Sequence, residues 1–374
     1  MDTDLTADQE LLLETSLRFI ESAYPLTTVR ADAGSGAGAG SSYLQQVAEL
    51  GWFSLLVPED LGGGSVSDSG VVDCALVATA RGQWLQPGSF VGTNVAAHAL
   101  ASGGSPDQQA KILPQLMSGA ETATWAYSAP GSDGSATAGV TAVRRGGGYV
   151  ISGSKTLVQD ADQASWILLS ADTDSGPTQF LLPQGTDGVH AEPMDSMDVT
   201  RRFGRITFRD AEVPAWAVVG EPGGAVALIE GELDVACVLT AAESVGAMDR
   251  DFQTALDYAK DRTAFGRPIG SFQAIKHLLA DTSLLLEMSK AMVTAASRAV
   301  GSGAADASAV ASMAKAFVGD SSIELAQHCF QVFGGIGFTW EHDQHLYMRR
   351  LTTDAALYGS PSWHRERLCR LGGL

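Results

Sequence analysis

The stretch ALDYAKDRTAFGRPIG, Ala255 to Gly270, decides how the chain is read. A helical pattern runs into Arg262-Thr-Ala-Phe265-Gly266 and breaks at Arg267-Pro268, and a second helix is expected to resume with Ser271-Phe272-Gln273. Proline stops a helix from running straight on, and glycine permits the tight turn before it. A break of this kind lets side chains leave a helix pair and reach outward.

Working outward, period-3.6 patterns are long on both sides of the break. Leu228 to Lys260, Phe272 to Gly301, Ala304 to Phe333 and a shorter terminal segment predict a four-helix arrangement. Ahead of it, from Thr122 to about Gly220, the pattern changes to short alternating runs: Tyr149-Val-Ile-Ser, Trp166-Ile-Leu-Leu, Gln179-Phe-Leu-Leu and Arg205-Ile-Thr-Phe-Arg. Gly, Asp and Pro separate them, which predicts a small β-domain with hairpin turns. The N-terminal third is helical again. Thr6 is a candidate N-cap with Gln9 or Glu10 reaching back, followed by a stripe of leucines. Further helical patterns cover Leu44 to Phe53, Asp68 to Arg81, Thr93 to Ser102 and Asp107 to Met117. Ala31 to Ser42, rich in Gly, Ala and Ser, reads as a flexible connector. The fold class is α+β and multidomain: an N-terminal helical domain (1–120), a middle β-domain (121–224) and a C-terminal four-helix bundle (225–374).

With 374 residues the chain has ample material for a buried core, and 45% hydrophobic against 18% charged residues describes a globular chain. A formal net charge of -19 makes nucleic acid an unsuitable partner, since phosphate repels such a field. Cys74, Cys237, Cys329 and Cys369 are far apart without metal-ligand spacing, and read as small buried hydrophobes in a reducing compartment. The acidic start MDTDLTADQELLLE lacks the features of a signal peptide, and no run approaches the roughly 20 apolar residues of a membrane span. The expected location is the cytoplasm.

Arg262-x-x-Phe265-Gly266-x-x-Ile269-x-x-Phe272-Gln273 resembles the acyl-CoA dehydrogenase family, which carries R-x-x-F-G-x-x-I-x-x-F-Q at this junction. Further points of similarity are Val57-Pro58-Glu59 followed by glycines, Leu113-Pro114 with Gly119, Val213-Pro214 with Val219-Gly220, and the glycine cluster Gln331-Val-Phe-Gly334-Gly335-Ile-Gly337-Phe338. The resemblance covers nearly the whole chain and implies a helical, β, helical architecture with FAD as cofactor. A flavin dinucleotide needs its pyrophosphate neutralised and close-approaching backbone N–H groups, which an arginine and consecutive glycines supply. In the family both segments serve an FAD held mainly by a neighbouring subunit. The resemblance therefore assigns Arg262, Phe265, Gln273, Gln331, Gly334 and Gly335 to a cofactor site shared across an interface. Taken alone, the glycine cluster also fits a plain helix terminus.

The other half of such a site departs from the family. Where members show T-E-P-x-A-G-S-D, this chain has Tyr127-Ser128-Ala129-Pro130-Gly131-Ser132-Asp133. In place of W-I-T stand Leu157-Val158-Gln159, without the indole beside the flavin. Dehydrogenation also needs a carboxylate to take the α-proton. Counted from Gly334, the family's terminal glutamate position holds Tyr358, a poor base with an ordinary pKa of about 10. The alternative position, counted back from Arg262 through Gly246, holds Ala236-Cys237. Glu232, one turn away, and Glu243, about two turns further along, are the rescue candidates; each also fits an ordinary helix-surface or salt-bridged carboxylate. His277, His328, His342 and His345 are read as surface or capping residues, and Trp363-His364-Arg365-Glu366-Arg367 as a solvated terminal helix face.

The expectation is therefore a subunit of an FAD-dependent acyl-CoA dehydrogenase that has no catalytic residue of its own and completes the FAD site of a homologous catalytic partner in an α2β2 heterotetramer. The acyl-CoA substrate, bulky esters such as steroid side chains included, would sit in the partner's site, with an electron-transfer flavoprotein as acceptor. The alternatives are a self-sufficient homotetrameric dehydrogenase with a relocated base, and a scaffold that binds no flavin.

Overall fold

The computed structural model describes residues 5–35, 40–132 and 134–373. Helices α1 (Ala7–Ala23), α2 (Leu26–Asp32), α3 (Ser41–Glu49), α4 (Gly70–Gln83), α5 (Phe90–Gly103) and α6 (Pro106–Met117) form the first layer. Thr6 Oγ1 accepts from Gln9 N at 3.2 Å while Gln9 Oε1 accepts from Thr6 N at 3.1 Å, the reciprocal cap expected at the start of α1. Ala31 and Asp32 complete α2 and Ser41 and Ser42 open α3, so the connector is shorter than its composition implied; residues 36–39 lie outside the described residues. The helix expected over Leu44 to Phe53 begins and ends earlier, at Ser41 and Glu49.

The middle sheet contains β1 (Ala123–Ala126), β2 (Val140–Arg145), β3 (Gly148–Gln159), β4 (Trp166–Thr173), β5 (Gly176–Pro183), β6 (Val189–Met194), β7 (Phe203–Pro214) and β8 (Val218–Val219). Its order is β6-β7-β3-β2-β4-β5-β8, with β1 pairing parallel to β4. Alternating residues such as Ile151, Phe180 and Ile206 form a core of its own. Strand β1 is buried along its whole length, because α5 lies over it. Ser89 and Thr93 donate to Ala123 O at 2.7 and 3.1 Å and stitch sheet to helix.

The 36-residue α7 (Val226–Asp261) is the central shaft, and every residue from Glu232 to Met248 is buried. It crosses α4 at backbone contact: a Cβ on Gly82 would stand 1.9 Å from Glu243 O, and one on Gly246 2.0 Å from Thr79 O. The two-residue strands β9 (Thr263–Ala264) and β10 (Arg267–Pro268) follow, then α8 (Gln273–Gly301) and α9 (Ala307–Phe333). The shorter terminal segment of the expected bundle is divided into two helices, α10 (Gln344–Ala356) and α11 (Pro361–Leu371). The break has local causes: Tyr358 and Gly359 take positive φ of 59° and 106°, and Ser360 caps α11 ahead of Pro361.

The terminal helix face is also not solvated as expected. His364 and Arg367 are buried, and Arg367 Nη1 donates to Asp234 and to Ser312 Oγ, both at 2.9 Å. Cys74, Cys237 and Cys329 are buried, whereas Cys369 is exposed because α11 turns its outer face to solvent there. Among the described residues no helix is long and apolar enough to cross a membrane, and no group of His, Cys, Asp and Glu could hold a metal ion.

Candidate functional site

Two regions carry the sequence-derived candidates, one on the surface and one inside. On the surface, α7 ends at Asp261, earlier than the pattern into Gly266 implied. Arg262 N caps it on Tyr258 O at 2.8 Å, and residues 263–268 then fold as a minimal hairpin, Arg267 opposite Ala264 and Pro268 opposite Thr263. Its two turn residues, Phe265 and Gly266, both take positive φ, 52° and 77°, as a tight two-residue hairpin turn demands. The Phe265 ring is 96% exposed. Behind it Arg267 lies over the Phe272 ring at 4.1 Å. Arg262 and Gln273 are exposed, and among the described residues neither Arg262 nor Arg267 forms an ion pair.

Gln331 stands exposed on the last turn of α9, and Gly334 ends that helix at φ 62°. No heavy atom lies within 4 Å of where a Cβ would stand on Gly334 or Gly335, so their backbone faces open space; Gly337, by contrast, packs on Phe330 and Phe333. Tyr258 and Phe333, at 5.2 Å between ring centroids, bring the α7 and α9 termini together. The same surface carries Phe338, the last residue of the stretch that the sequence singled out, and Trp340, which the sequence reading passed over, exposed by 76% and 55%. The signal available for Trp340 was its place two residues beyond Phe338, after the glycines.

The interior region is closed. Tyr358, between α10 and α11, stacks on Trp125 of β1 with centroids 5.4 Å apart and planes at 22°, and meets Tyr127 edge-on at 5.9 Å. Trp125, Tyr127, Ala236, Cys237 and Tyr358 are all buried. Lys315 of α9 donates to Asp354 O, Ala355 O and Gly359 O at 2.9, 3.1 and 3.3 Å, holding the turn that carries Tyr358. On the sheet side Lys155 Nζ donates to Tyr127 O, Ala136 O and Ala138 O at 3.1, 2.5 and 2.8 Å, pinning the segment that includes Ser128 to Ser132; Asp133 lies outside the described residues. Leu157 is at positive φ and partly exposed, and Gln159 Nε2 donates to Gly88 O at 2.6 Å. Cys237 Sγ lies 3.6 Å from His364 Nε2, which is also 3.2 Å from Tyr358 O. Burial, with Lys315 and Arg367 nearby, pushes the His364 pKa down to about 3, so the ring is neutral.

Neither rescue carboxylate is on a helix surface. Glu243 bridges Arg81 at 3.1 Å and Arg201 at 2.6 Å, and Arg201 also pairs with Asp354. Arg350 holds Asp198 at 2.8 Å. Burial opposes the charge of Asp198, but Arg350 and Arg201 outweigh it and keep its carboxyl below the usual range. Glu232 accepts from Gln179 Nε2 of β5, and its complete burial raises its pKa well above the usual carboxylate value. Of the histidines, His328 Nδ1 pairs with Thr282 Oγ1 at 2.9 Å, and His342 Nδ1 accepts from Gln344 N at 3.1 Å at the start of α10.

Family models for the N-terminal, middle and C-terminal domains of acyl-CoA dehydrogenases match residues 6–120, 124–211 and 223–371. The acyl-CoA dehydrogenase IpdE2 of Mycobacterium tuberculosis is 32% identical over 366 residues, 97% of this chain and 96% of its own length. The chain belongs to the acyl-CoA dehydrogenase family. Members are generally oxidoreductases acting on CH–CH bonds. Among solved structures, a chain of the ChsE4-ChsE5 complex from M. tuberculosis superimposes with a TM-score of 0.91 at 25% identity, covering 100% of this chain and 99% of that one. A point variant of the Tcur3481-Tcur3483 steroid acyl-CoA dehydrogenase gives 0.89 at 26% identity and 98% coverage of both.

An acyl-CoA dehydrogenase layers flavin, thioester and base. Around Tyr358 the interior residues of this chain leave no space for such layers, because its ring lies directly against Trp125 and Tyr127. The surface residues do fit part of a flavin dinucleotide: an unpaired arginine, open glycine backbone and accessible aromatic rings lie on one face.

Proposed function

We propose that this chain is the non-catalytic member of a heteromeric FAD-dependent acyl-CoA dehydrogenase and completes the FAD site of a homologous catalytic subunit. The observation that carries the reading is the contrast between the two regions: the interior site is shut by Tyr358, while the face carrying Arg262, Gly334 and Gly335 is open. When bound, FAD accepts the β-hydrogen of the acyl thioester as hydride. This chain's residues only bind and orient. Arg262 neutralises the pyrophosphate, and the backbone N–H groups at Gly334 and Gly335 approach its oxygens. Gln273 and Gln331 supply side-chain hydrogen bonds, and the Phe265 ring covers the dinucleotide and excludes water.

Among the described residues, none of the candidate groups is placed to take an α-proton. Tyr358 is buried and burial raises its pKa above the ordinary tyrosine value. Glu243 is neutralised by two arginines, and Glu232 is paired with Gln179, which weighs against a self-sufficient enzyme with a relocated base. The base, flavin wall and acyl pocket then belong to the partner, in an α2β2 assembly with about two FAD where a homotetramer holds about four. The substrate is an acyl-CoA ester of the bulky, steroid side-chain class, a reading supported by the likeness to a named steroid acyl-CoA dehydrogenase. An electron-transfer flavoprotein is the proposed acceptor.

The test is made in trans. Arg262→Ala in this chain is expected to lower the FAD retained by the catalytic partner through gel filtration at least tenfold, without changing the assembly's mass. Full FAD retention would remove the basis for the reading.

A further inference from the structure

We propose that the Trp125–Tyr358 stack is a stopper that keeps flavin out of this chain's own interior slot, so that the heteromer loads cofactor only at the partner's sites. This rests on the partner-completing reading above and adds to it an active device: exclusion by named side chains, beyond the mere lack of a base.

The argument begins with thickness. A base facing a thioester that faces a flavin, itself lying on a protein wall, needs three van der Waals separations, about 10 Å at roughly 3.5 Å each. Tyr358 stands at the base position, and Trp125 lies on β1 immediately before the Tyr127 to Ser132 segment that replaces the family's flavin-contacting phrase. Their centroids are 5.4 Å apart at 22°, one offset stack with no room for a second ring between them. Tyr127 closes the side, its ring centroid 4.7 Å from that of Trp125.

The stack is also held from both sides, which ordinary core packing does not require. On the helical side Lys315 ties down Asp354 O, Ala355 O and Gly359 O, and His364 Nε2 lies 3.2 Å from Tyr358 O. On the sheet side Lys155 ties down Tyr127 O, Ala136 O and Ala138 O, and the Tyr127 hydroxyl donates to Gly134 O at 2.7 Å. Tyr358 itself adopts φ 59°, the left-handed region where a non-glycine residue persists only if its surroundings impose it. A buried lysine on each side of one aromatic contact fixes the rings where flavin and thioester would lie.

The experiment uses the full chain co-purified with its catalytic partner and riboflavin as probe, because the free tricycle needs no donated dinucleotide half. Variants are Tyr358→Gly, which removes the ring and suits the left-handed backbone, Trp125→Ala with Tyr358→Gly, and Tyr358→Phe, which keeps the stopper. Equilibrium dialysis should give no riboflavin bound beyond the resident FAD for wild type and Tyr358→Phe, and about one additional riboflavin per copy of this chain for the glycine variants. Glycine variants that melt cooperatively, remain assembled and bind no more riboflavin than wild type overturn the stopper, as does a wild type that already binds it. The resident FAD count separates the two claims. About four FAD in the wild-type tetramer sinks the partner-completing reading itself, whereas about two with no gain in the variants sinks the stopper alone.

Discussion

Arg201, in the loop between β6 and β7, reaches Glu243 in the middle of α7 at 2.6 Å, with both side chains buried. That pair is one link between the middle domain and the central shaft, beside the Gln179–Glu232 hydrogen bond. Asp354 and Arg81 extend it on either side, and Arg350 with Asp198 adjoins it, so guanidiniums and carboxylates alternate in a cluster without solvent.

Removing one member of such a cluster strands an opposite charge in the interior. Arg201→Met is expected to destabilise the fold by about 3–5 kcal/mol, more than a surface ion pair could account for. Urea unfolding of wild type and variant measures it; a change below about 1 kcal/mol would contradict the ascribed role.

The central shaft depends on two glycines for its closest crossing. Gly246→Ala places a Cβ 2.0 Å from Thr79 O, a backbone atom that cannot step aside alone. The expected loss is about 3 kcal/mol or more, read as a lowered urea midpoint. Gly231→Ala, where nothing lies within 4 Å, serves as control and should be neutral or slightly stabilising.

The buried His364 makes stability depend on pH. Its folded pKa is depressed to about 3 from an ordinary value near 6.5, so only the unfolded chain binds that proton between these limits. Its contribution is therefore present above about pH 6.5 and is lost as pH falls toward 3. His364→Gln should flatten this limb: the wild type loses more stability than the variant between pH 7 and pH 5. An equal loss in both would exclude His364 as the source.

Binding and folding separate at Gly335. Its Cα faces open space and its φ is not in the left-handed region, so Gly335→Val should change unfolding free energy by no more than about 0.5 kcal/mol. It should nevertheless weaken FAD retention by the assembled heteromer, because the added side chain stands where the cofactor's phosphates approach. Flavin absorbance after dialysis reads this directly, and unchanged retention would argue against the glycine cradle.

The sequence made the surface half legible because its meaning is local. Arg262, Phe265 and Gln273 fall within one helix break, and Gly334 and Gly335 at one helix end, so chain order alone places them. The interior half was legible only as missing residues at Tyr358 and Ala236. What fills it depends on long-range partners: Glu243 is 42 residues from Arg201, and Asp354 is 153. Helical periodicity also misled on α11. On α7, buried all round from Glu232 to Met248, Glu243 is the salt-bridged carboxylate that its reading allowed and Glu232 pairs with Gln179, whereas Arg367 of α11 was read as solvated although it is paired inside. Trp125 carries no motif, and only its contact with Tyr358 gives it significance.

The most direct test of the central claim is flavin content and native mass of the protein purified alone and after co-expression with a catalytic acyl-CoA dehydrogenase subunit. The account predicts a colourless or unstable protein alone, and a yellow α2β2 assembly with about two FAD when the partner is present. A yellow homotetramer with about four FAD that oxidises an acyl-CoA unaided would contradict it.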